Sequence, residues 1–174
     1  KYNESNKIYN EIINLDNSIV QAYVCIGDNL RKLNKKKEAI EYYKKGILVN
    51  PSCALAYQNL GDLYCKLGDK EKALEYLNQS YSIDPNNSLI LSSKAAIHIE
   101  LEDPLLAIDL LKKAIKIDPF NGNAFYNLGI ILKNQNLYDQ AIKMFEQSIN
   151  AYKKSSYKNI SIAKAYSSIG LCYL

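Results

Sequence analysis

The side chains that could carry out chemistry are few in this chain of 174 residues. His98 is its only histidine, and we expect it to be a packing residue. A zinc site needs about four Cys or His ligands at short spacings. The four cysteines show no such spacing: Cys25, Cys53, Cys65 and Cys172. No phosphate-binding glycine loop and no nucleophile elbow is found. We therefore predict a protein that is not an enzyme, with no catalytic residue, no metal and no cofactor.

Composition points to a folded chain. Hydrophobic residues make up 48% of it and charged residues 23%, which argues against disorder. No apolar run approaches the length of a membrane-spanning helix, and no secretory leader is found. Unpaired cysteines suit a reducing compartment. We predict an intracellular, cytoplasmic protein without membrane insertion.

The net charge of +4 comes almost entirely from lysine, since Arg31 is the only arginine. Proteins that bind nucleic acids use arginine for bidentate and stacking contacts. The densest basic cluster, residues 35–37, falls in a turn, where we expect it to be solvated. We predict a protein or peptide partner and no nucleic acid.

The sequence repeats with a period of 34 residues, and this period predicts where each side chain lies in the fold. Small residues recur at Gly27, Gly61, Ala95 and Gly129, and alanines at Ala39, Ala73, Ala107 and Ala141. A bulky column follows the same period at Tyr43, Leu77, Leu111 and Phe145, and a proline column at Pro51, Pro85 and Pro119. Such a period is typical of stacked helical hairpins.

The residue types fit the packing of two antiparallel helices. Helices approach to about 8–10 Å only where the side chains at their crossing are small. The glycine column is thus expected to mark the crossing on the first helix of each hairpin, and the alanine column the facing position on the second. The bulky column is expected to fill the space between neighbouring hairpins. The prolines separate successive hairpins, because proline lacks an amide donor and disfavours a helical residue before it.

The segments AYQNLGDLY and AFYNLGIIL, together with these columns, resemble tetratricopeptide repeats. The resemblance covers essentially the whole chain. It implies an all-α fold, a right-handed superhelical solenoid of antiparallel helix hairpins. We expect one domain, residues 1–174, with these repeats: 20–53, 54–87, 88–121 and 122–162.

Both ends of the chain match incomplete repeats. Residues 4–16 match a second helix without its partner, and residues 163–174 match a first helix without its partner. We therefore expect a fragment of a longer protein. Its uncapped terminal helices would be a surface for self-association.

The fourth repeat departs from the period, because Gly129 and Gly170 are 41 residues apart. The seven additional residues correspond to about two helical turns. They predict a longer second helix, a longer loop around residues 153–158, or both. The insertion either changes the curvature of the superhelix locally or is a tolerated loop insertion.

The resemblance implies that the first helices of successive hairpins line a concave groove that binds a peptide. Helical periodicity gives the face opposite the buried columns. The groove residues assigned in this way are Val24, Asp28, Gln58, Asn59, Asp62, Ser93, Ala96, Ile99, Tyr126, Asn127 and Ile130.

Asn59 and Asn127 share one column of this groove. An amide side chain can donate to a peptide backbone and accept from it at once. In the repeat arm of O-linked N-acetylglucosamine transferase, asparagines in this column grip an extended peptide, so the resemblance implies that role for both residues. Alternatively, these asparagines only reflect an exposed helix face in an Asn-rich chain.

Polarity changes along the groove. One column holds Asp28 and Asp62 in the first two repeats and then Ala96 and Ile130. This predicts a partner with a basic residue at one end and an apolar anchor at the other.

The leading hypothesis is a noncatalytic scaffold for protein–protein interaction. In chaperone adaptors of this family, Lys, Asn and Arg side chains in certain groove columns clamp the C-terminal carboxylates of heat-shock proteins. In this chain the same columns lack the full set of positively charged side chains, so binding of chaperone tails is not expected. The alternative is the substrate-recognition arm of a larger enzyme, such as an O-linked glycosyltransferase, with its catalytic domain beyond Leu174.

Overall fold

The computed structural model describes residues 1–154 and 159–174, and within these ranges the chain forms helices and turns without a strand. In chain order the helices are α1 (Tyr2–Leu15), α2 (Val20–Lys32), α3 (Lys36–Val49), α4 (Ala54–Lys66), α5 (Lys70–Ile83), α6 (Ser88–Glu100), α7 (Pro104–Ile117), α8 (Gly122–Asn134), α9 (Tyr138–Lys154) and α10 (Asn159–Gly170). None of these helices is long and apolar enough to cross a membrane. The predicted all-α class is confirmed.

The helices form two compact units, Lys1–Pro85 and Asn86–Leu174. In unit 1, α2 pairs with α3 and α4 with α5, while α1 packs on α2. In unit 2, α6 pairs with α7 and α8 with α9, while α10 packs on α9. A single continuous domain stays a prediction.

Hairpin boundaries follow the predicted period. The first helices α2, α4, α6 and α8 begin at the first residue of each predicted repeat, from Val20 to Gly122. The last helix differs, since it begins at Asn159 rather than at residue 163 and ends at Gly170. Of the predicted alternatives, a longer second helix is what the described residues contain, because α9 has 17 residues and α3, α5 and α7 have 14 each. The predicted loop change also involves residues 155–158, which lie outside the described residues.

In three of the four hairpins, a glycine of the first helix lies directly against the bulky residue of the second helix. A Cβ atom on Gly61 would lie 2.6 Å from Leu77 Cγ, and one on Gly129 would lie 2.5 Å from the Phe145 ring. The bulky residue thus packs onto the glycine of its own hairpin. It also packs beyond its own hairpin, since Tyr43 shares one apolar cluster with Leu60 of α4 and Phe145 shares one with Cys172.

A residue with a left-handed backbone closes the turn inside each hairpin. These residues also recur every 34 positions: Asn34 (φ 61°), Gly68 (φ 84°), Glu102 (φ 58°) and Asn136 (φ 61°). The next amide then bonds back to the end of the first helix, as Lys35 N does to Leu30 O at 2.9 Å. This pattern is a Schellman motif, which ends a helix by satisfying one of its last carbonyls.

Lys94 is the one polar residue in an apolar column of first helices that includes Leu60 and Leu128. Its side chain is half-buried. Burial, and then repulsion from Lys113, lower the pKa of the Lys94 ammonium. The one polar residue of this column is therefore a lysine whose charged ammonium form is disfavoured by its surroundings.

Candidate peptide-binding surfaces

The predicted groove residues lie on the first helices in two sets, one in each unit. The unit 1 surface, on α2 and α4, consists of Val24, Asp28, Gln58, Asn59 and Asp62. The unit 2 surface, on α6 and α8, consists of Ser93, Ala96, Ile99, Tyr126, Asn127 and Ile130. All six residues of the unit 2 surface are partly exposed, whereas Val24, Gln58 and Asn59 of the unit 1 surface are buried.

Val24 is a core residue and not a surface residue. It is 0% exposed and belongs to the apolar cluster that contains Ile26. Tyr9 and Ile13 of α1 pack against the same cluster. The assignment of Val24 to the groove is therefore wrong, because the buried face of α2 is widened by a second helix on its other side.

The unit 1 surface is organised around the carboxylate of Asp28. Its Oδ1 atom accepts hydrogen bonds from Tyr43 Oη at 2.8 Å, from Asn59 Nδ2 at 3.3 Å and from Arg31 Nη2 at 3.3 Å. These donors come from α3, α4 and α2, so one oxygen ties three helices together. The predicted acidic end of the groove is thus partly neutralised by its own arginine.

Tyr43 is the residue of this network that the sequence assigned only to packing. Its side chain is fully buried. Burial, together with the hydrogen bond to Asp28 and its negative charge, raises the pKa of the Tyr43 hydroxyl far above its usual value. The signal in the sequence for this hydrogen bond is that Tyr43 stands in a column otherwise made of Leu and Phe. A buried tyrosine hydroxyl usually finds a hydrogen-bond partner.

Arg31 carries an unsatisfied donor beside this network. Its Nε atom is buried and has no hydrogen-bond partner among the described residues. Its other nitrogen, Nη2, holds Asp28. The arginine is therefore fixed in place by one hydrogen bond while part of its donor capacity stays unused.

Both asparagines of the predicted ladder bond to the preceding first helix. Asn59 Nδ2 donates to Asp28, and Asn127 Nδ2 donates to the carbonyl of Ser92 at 3.2 Å. The column thus joins neighbouring hairpins within each unit. Gripping a peptide with these amides stays a prediction, and it would use the amide oxygen or the second N–H of each amide.

The unit 2 surface combines apolar side chains with single polar groups. Tyr126 and Ile130 pack around Phe145, and the Tyr126 and Phe145 ring centroids are 5.5 Å apart. The Tyr126 hydroxyl lies 3.3 Å from Ser168 Oγ on α10. Ile99 lines a cavity of about 320 Å³ together with Ile131. Half-exposed apolar side chains of this kind are suited to covering by an apolar ligand.

A second, smaller cavity lies where α8, α9 and α10 meet. It has a volume of about 140 Å³ and is lined by Asn123, Tyr126, Tyr152, Ser161 and Lys164. Tyr152 is only 4% exposed, and its hydroxyl donates to Asn123 Oδ1 at 2.6 Å. The repeat columns gave no signal for Tyr152, because it lies in the insertion.

The single histidine of the chain lies beside an acidic side chain. His98 Nδ1 lies 3.7 Å from Asp103 Oδ2, and its side chain is 16% exposed. Within residues 1–154 and 159–174, no three His, Cys, Asp or Glu side chains come together as metal ligands do.

Repeated helix pairs that cross at glycines define an α-helical repeat protein of the interaction-scaffold type. Sequence models of the tetratricopeptide repeat match residues 20–53, 54–87, 90–121 and 110–143. The chain belongs to the tetratricopeptide repeat (TPR) family. No curated protein sequence matches it.

Solved structures share the fold. The chain is similar to one chain of the APC/C heterotetramer Cut9–Hcn1, with a TM-score of 0.92, 18% identity, and coverage of 99% of this chain and 33% of that chain. It is similar to TTC0263, a thermophilic TPR protein of Thermus thermophilus, with a TM-score of 0.79, 16% identity, and coverage of 97% and 90%.

A third similar structure is YrrB, described as a TPR protein with an unusual peptide-binding site. The TM-score is 0.66 at 20% identity, with coverage of 95% of this chain and 81% of that chain. At these identities the likeness shows the fold alone. The chain spans about a third of the length of the Cut9–Hcn1 chain that it matches.

Proposed function

We propose that the protein is a noncatalytic scaffold that binds an extended peptide segment of a partner protein along its first helices. The observation that carries the proposal is the unit 2 surface, where Ile99, Tyr126 and Ile130 remain partly exposed beside polar Ser93 and Asn127. An apolar ligand side chain would remove these groups from water, at about 25 cal/mol for each Å² of apolar area buried. The family supports the same conclusion.

The two surfaces favour different ligand side chains. On the unit 2 surface, Ile99 and Ile130 favour an apolar anchor. On the unit 1 surface, the three donors described above all reach Asp28 Oδ1, so a basic ligand residue would approach Oδ2. Because Arg31 already offsets this charge, we expect the apolar anchor to contribute more affinity than the basic residue.

A displayed library of random twelve-residue peptides tests the proposal. We expect the wild-type chain to select peptides and Ala96→Glu to weaken their binding by about tenfold, because a charge on the unit 2 surface opposes burial of apolar side chains. The matched control is Gln147→Glu, an exposed position on the second helix α9. Thermal melting checks that both variants are folded. Equal binding by wild type and Ala96→Glu, or loss only in Gln147→Glu, would refute the proposal.

A further inference from the structure

The turn of the third hairpin has an unexpected residue type. Glu102 joins α6 to α7 with a left-handed backbone (φ 58°), whereas Asn34, Gly68 and Asn136 take the same place in the other hairpins. Glycine and asparagine adopt this conformation readily, but glutamate rarely does. Residues held in such conformations cluster at functional sites. The turn geometry alone therefore does not account for a glutamate at this position.

Glu102 lines the cavity of about 320 Å³ in unit 2, which we call the turn-edge pocket. This volume lies at the lower end of the range for ligand sites, about 300–1,000 Å³. Ile131 is only 3% exposed and Ile99 is half-buried, whereas the other four lining residues are exposed. The pocket thus has an apolar floor and a largely polar rim. Its lining residues are Ile99, Glu102, Pro104, Ile131, Asn134 and Gln135.

The rim of the turn-edge pocket offers acceptors and one negative charge. Glu102 is the only charged residue of the lining. Among the residues that the structure describes, its carboxylate forms no ion pair. The side chains of Asn134 and Gln135 add amide oxygens, which accept hydrogen bonds. A positively charged ligand group with several N–H donors therefore complements this rim.

The ends of two helices favour the same kind of ligand. Helix α6 ends at Glu100, two residues before Glu102, and helix α8 ends at Asn134, which lines the pocket. The C-terminal end of a helix carries a partial negative charge that favours a cation beside it. Both helix ends thus add to the attraction of the Glu102 carboxylate for a cation.

The apolar floor narrows the choice of cation. A small hydrated ion would gain nothing from Ile99 and Ile131, whereas a long basic side chain lays its methylene groups on apolar surface and keeps its charged end at the rim. Arginine suits the rim better than lysine. Its planar guanidinium can pair with a carboxylate through two parallel hydrogen bonds and keeps further donors for an amide oxygen.

We propose that the turn-edge pocket binds an arginine side chain of the peptide ligand. The inference rests on the proposed function, and Ile99 connects the two sites because it belongs both to the unit 2 surface and to the pocket. One extended peptide can therefore place an apolar side chain on the unit 2 surface and an arginine in the pocket. The arginine adds charge specificity to an otherwise apolar contact.

A second displayed library tests this inference. It keeps the apolar residues of a peptide selected by the wild-type chain and randomises the positions on either side of them. The affinity of each arginine-containing peptide is compared with that of its citrulline analogue, which has the same shape without the charge, and with that of its lysine analogue. Wild type is compared with Glu102→Gln, which keeps the size of the side chain and removes its charge. The matched control is Glu146→Gln, because Glu146 is an exposed acid on α9 and does not line the pocket.

We expect wild type to prefer the arginine peptide over its citrulline analogue by about three- to tenfold, as one charge-assisted pair would give. Glu102→Gln is expected to abolish this preference, while Glu146→Gln retains it. The lysine analogue should bind more weakly than the arginine peptide, since an ammonium cannot pair with two oxygens in a planar fork. Equal binding of the lysine and arginine peptides would overturn the assignment to arginine.

Glu102→Asn separates binding from folding. Asparagine already occupies this turn position in two other hairpins, so this variant should melt at the wild-type temperature or above it. We expect it to lose the arginine preference although it is folded. A preference that survives both substitutions of Glu102 would overturn this inference alone, since binding that is weakened by Ala96→Glu would still support the proposed function. If the wild-type chain selects no peptide from the first library, the proposed function fails and this inference fails with it.

Discussion

Gly61→Leu is expected to lower the free energy of unfolding by about 3 kcal/mol or more, an effect at the upper end for overpacked sites. Even the first added atom would lie 2.6 Å from Leu77 Cγ and 3.1 Å from the backbone oxygen of Ala73. Leu77 is fully buried and cannot turn aside, so the two helices must separate. Urea unfolding followed by circular dichroism measures the loss.

Gly170→Leu is the matched control, since Gly170 lies in the same predicted column. A Cβ atom there meets no described atom within 4 Å. We expect a change within about 0.5 kcal/mol, as for most surface substitutions. If Gly61→Leu unfolds at the wild-type urea concentration, the helices do not cross at this glycine and the register of the hairpins is wrong.

Asp28→Ala is expected to lower the free energy of unfolding by about 1–3 kcal/mol. The change removes the acceptor of the buried Tyr43 hydroxyl and the partner of Arg31 and Asn59. A buried donor without an acceptor loses its hydration and gains nothing in return. The same urea unfolding experiment gives the value.

A double-mutant cycle with Tyr43→Phe separates the hydrogen bond from the packing. Phenylalanine keeps the ring on Gly27 and removes the hydroxyl. In the Asp28→Ala background, Tyr43→Phe should cost less than in wild type by about 1 kcal/mol or more. Strictly additive effects would show that Asp28 and Tyr43 do not support each other.

The repeat geometry could be predicted from the sequence because each column obeys a steric rule. Glycine at positions 61 and 129 admits the bulky residue of the second helix, and the starts of the first helices follow the period. The residues with a left-handed backbone form a further column, which includes Gly68 and Asn136. The sequence indicates this column too, because glycine and asparagine, which favour that conformation, recur at the repeat spacing. Glu102 conceals this column because its residue type does not favour that conformation.

The candidate binding surfaces were less predictable, because exposure depends on which helices pack on each side. Helical periodicity places Val24 on the exposed face of an isolated hairpin, but α1 helps to bury it. Tyr43 was recognised as a bulky residue, yet its hydroxyl pairs with Asp28 from another column. Tyr152 belongs to no column, since the insertion breaks the period before it. Periodicity therefore predicts repeated contacts and misses those that occur once.

The most direct test of peptide binding by the first helices is an NMR titration of the isotope-labelled chain with a selected peptide, with intermolecular contacts recorded by nuclear Overhauser effects. We predict contacts and shift changes at residues of α6 and α8, with Ile99, Tyr126 and Ile130 among them, and none at the exposed Gln147 of α9. Contacts confined to the outward faces of the second helices α7 and α9 would contradict the account.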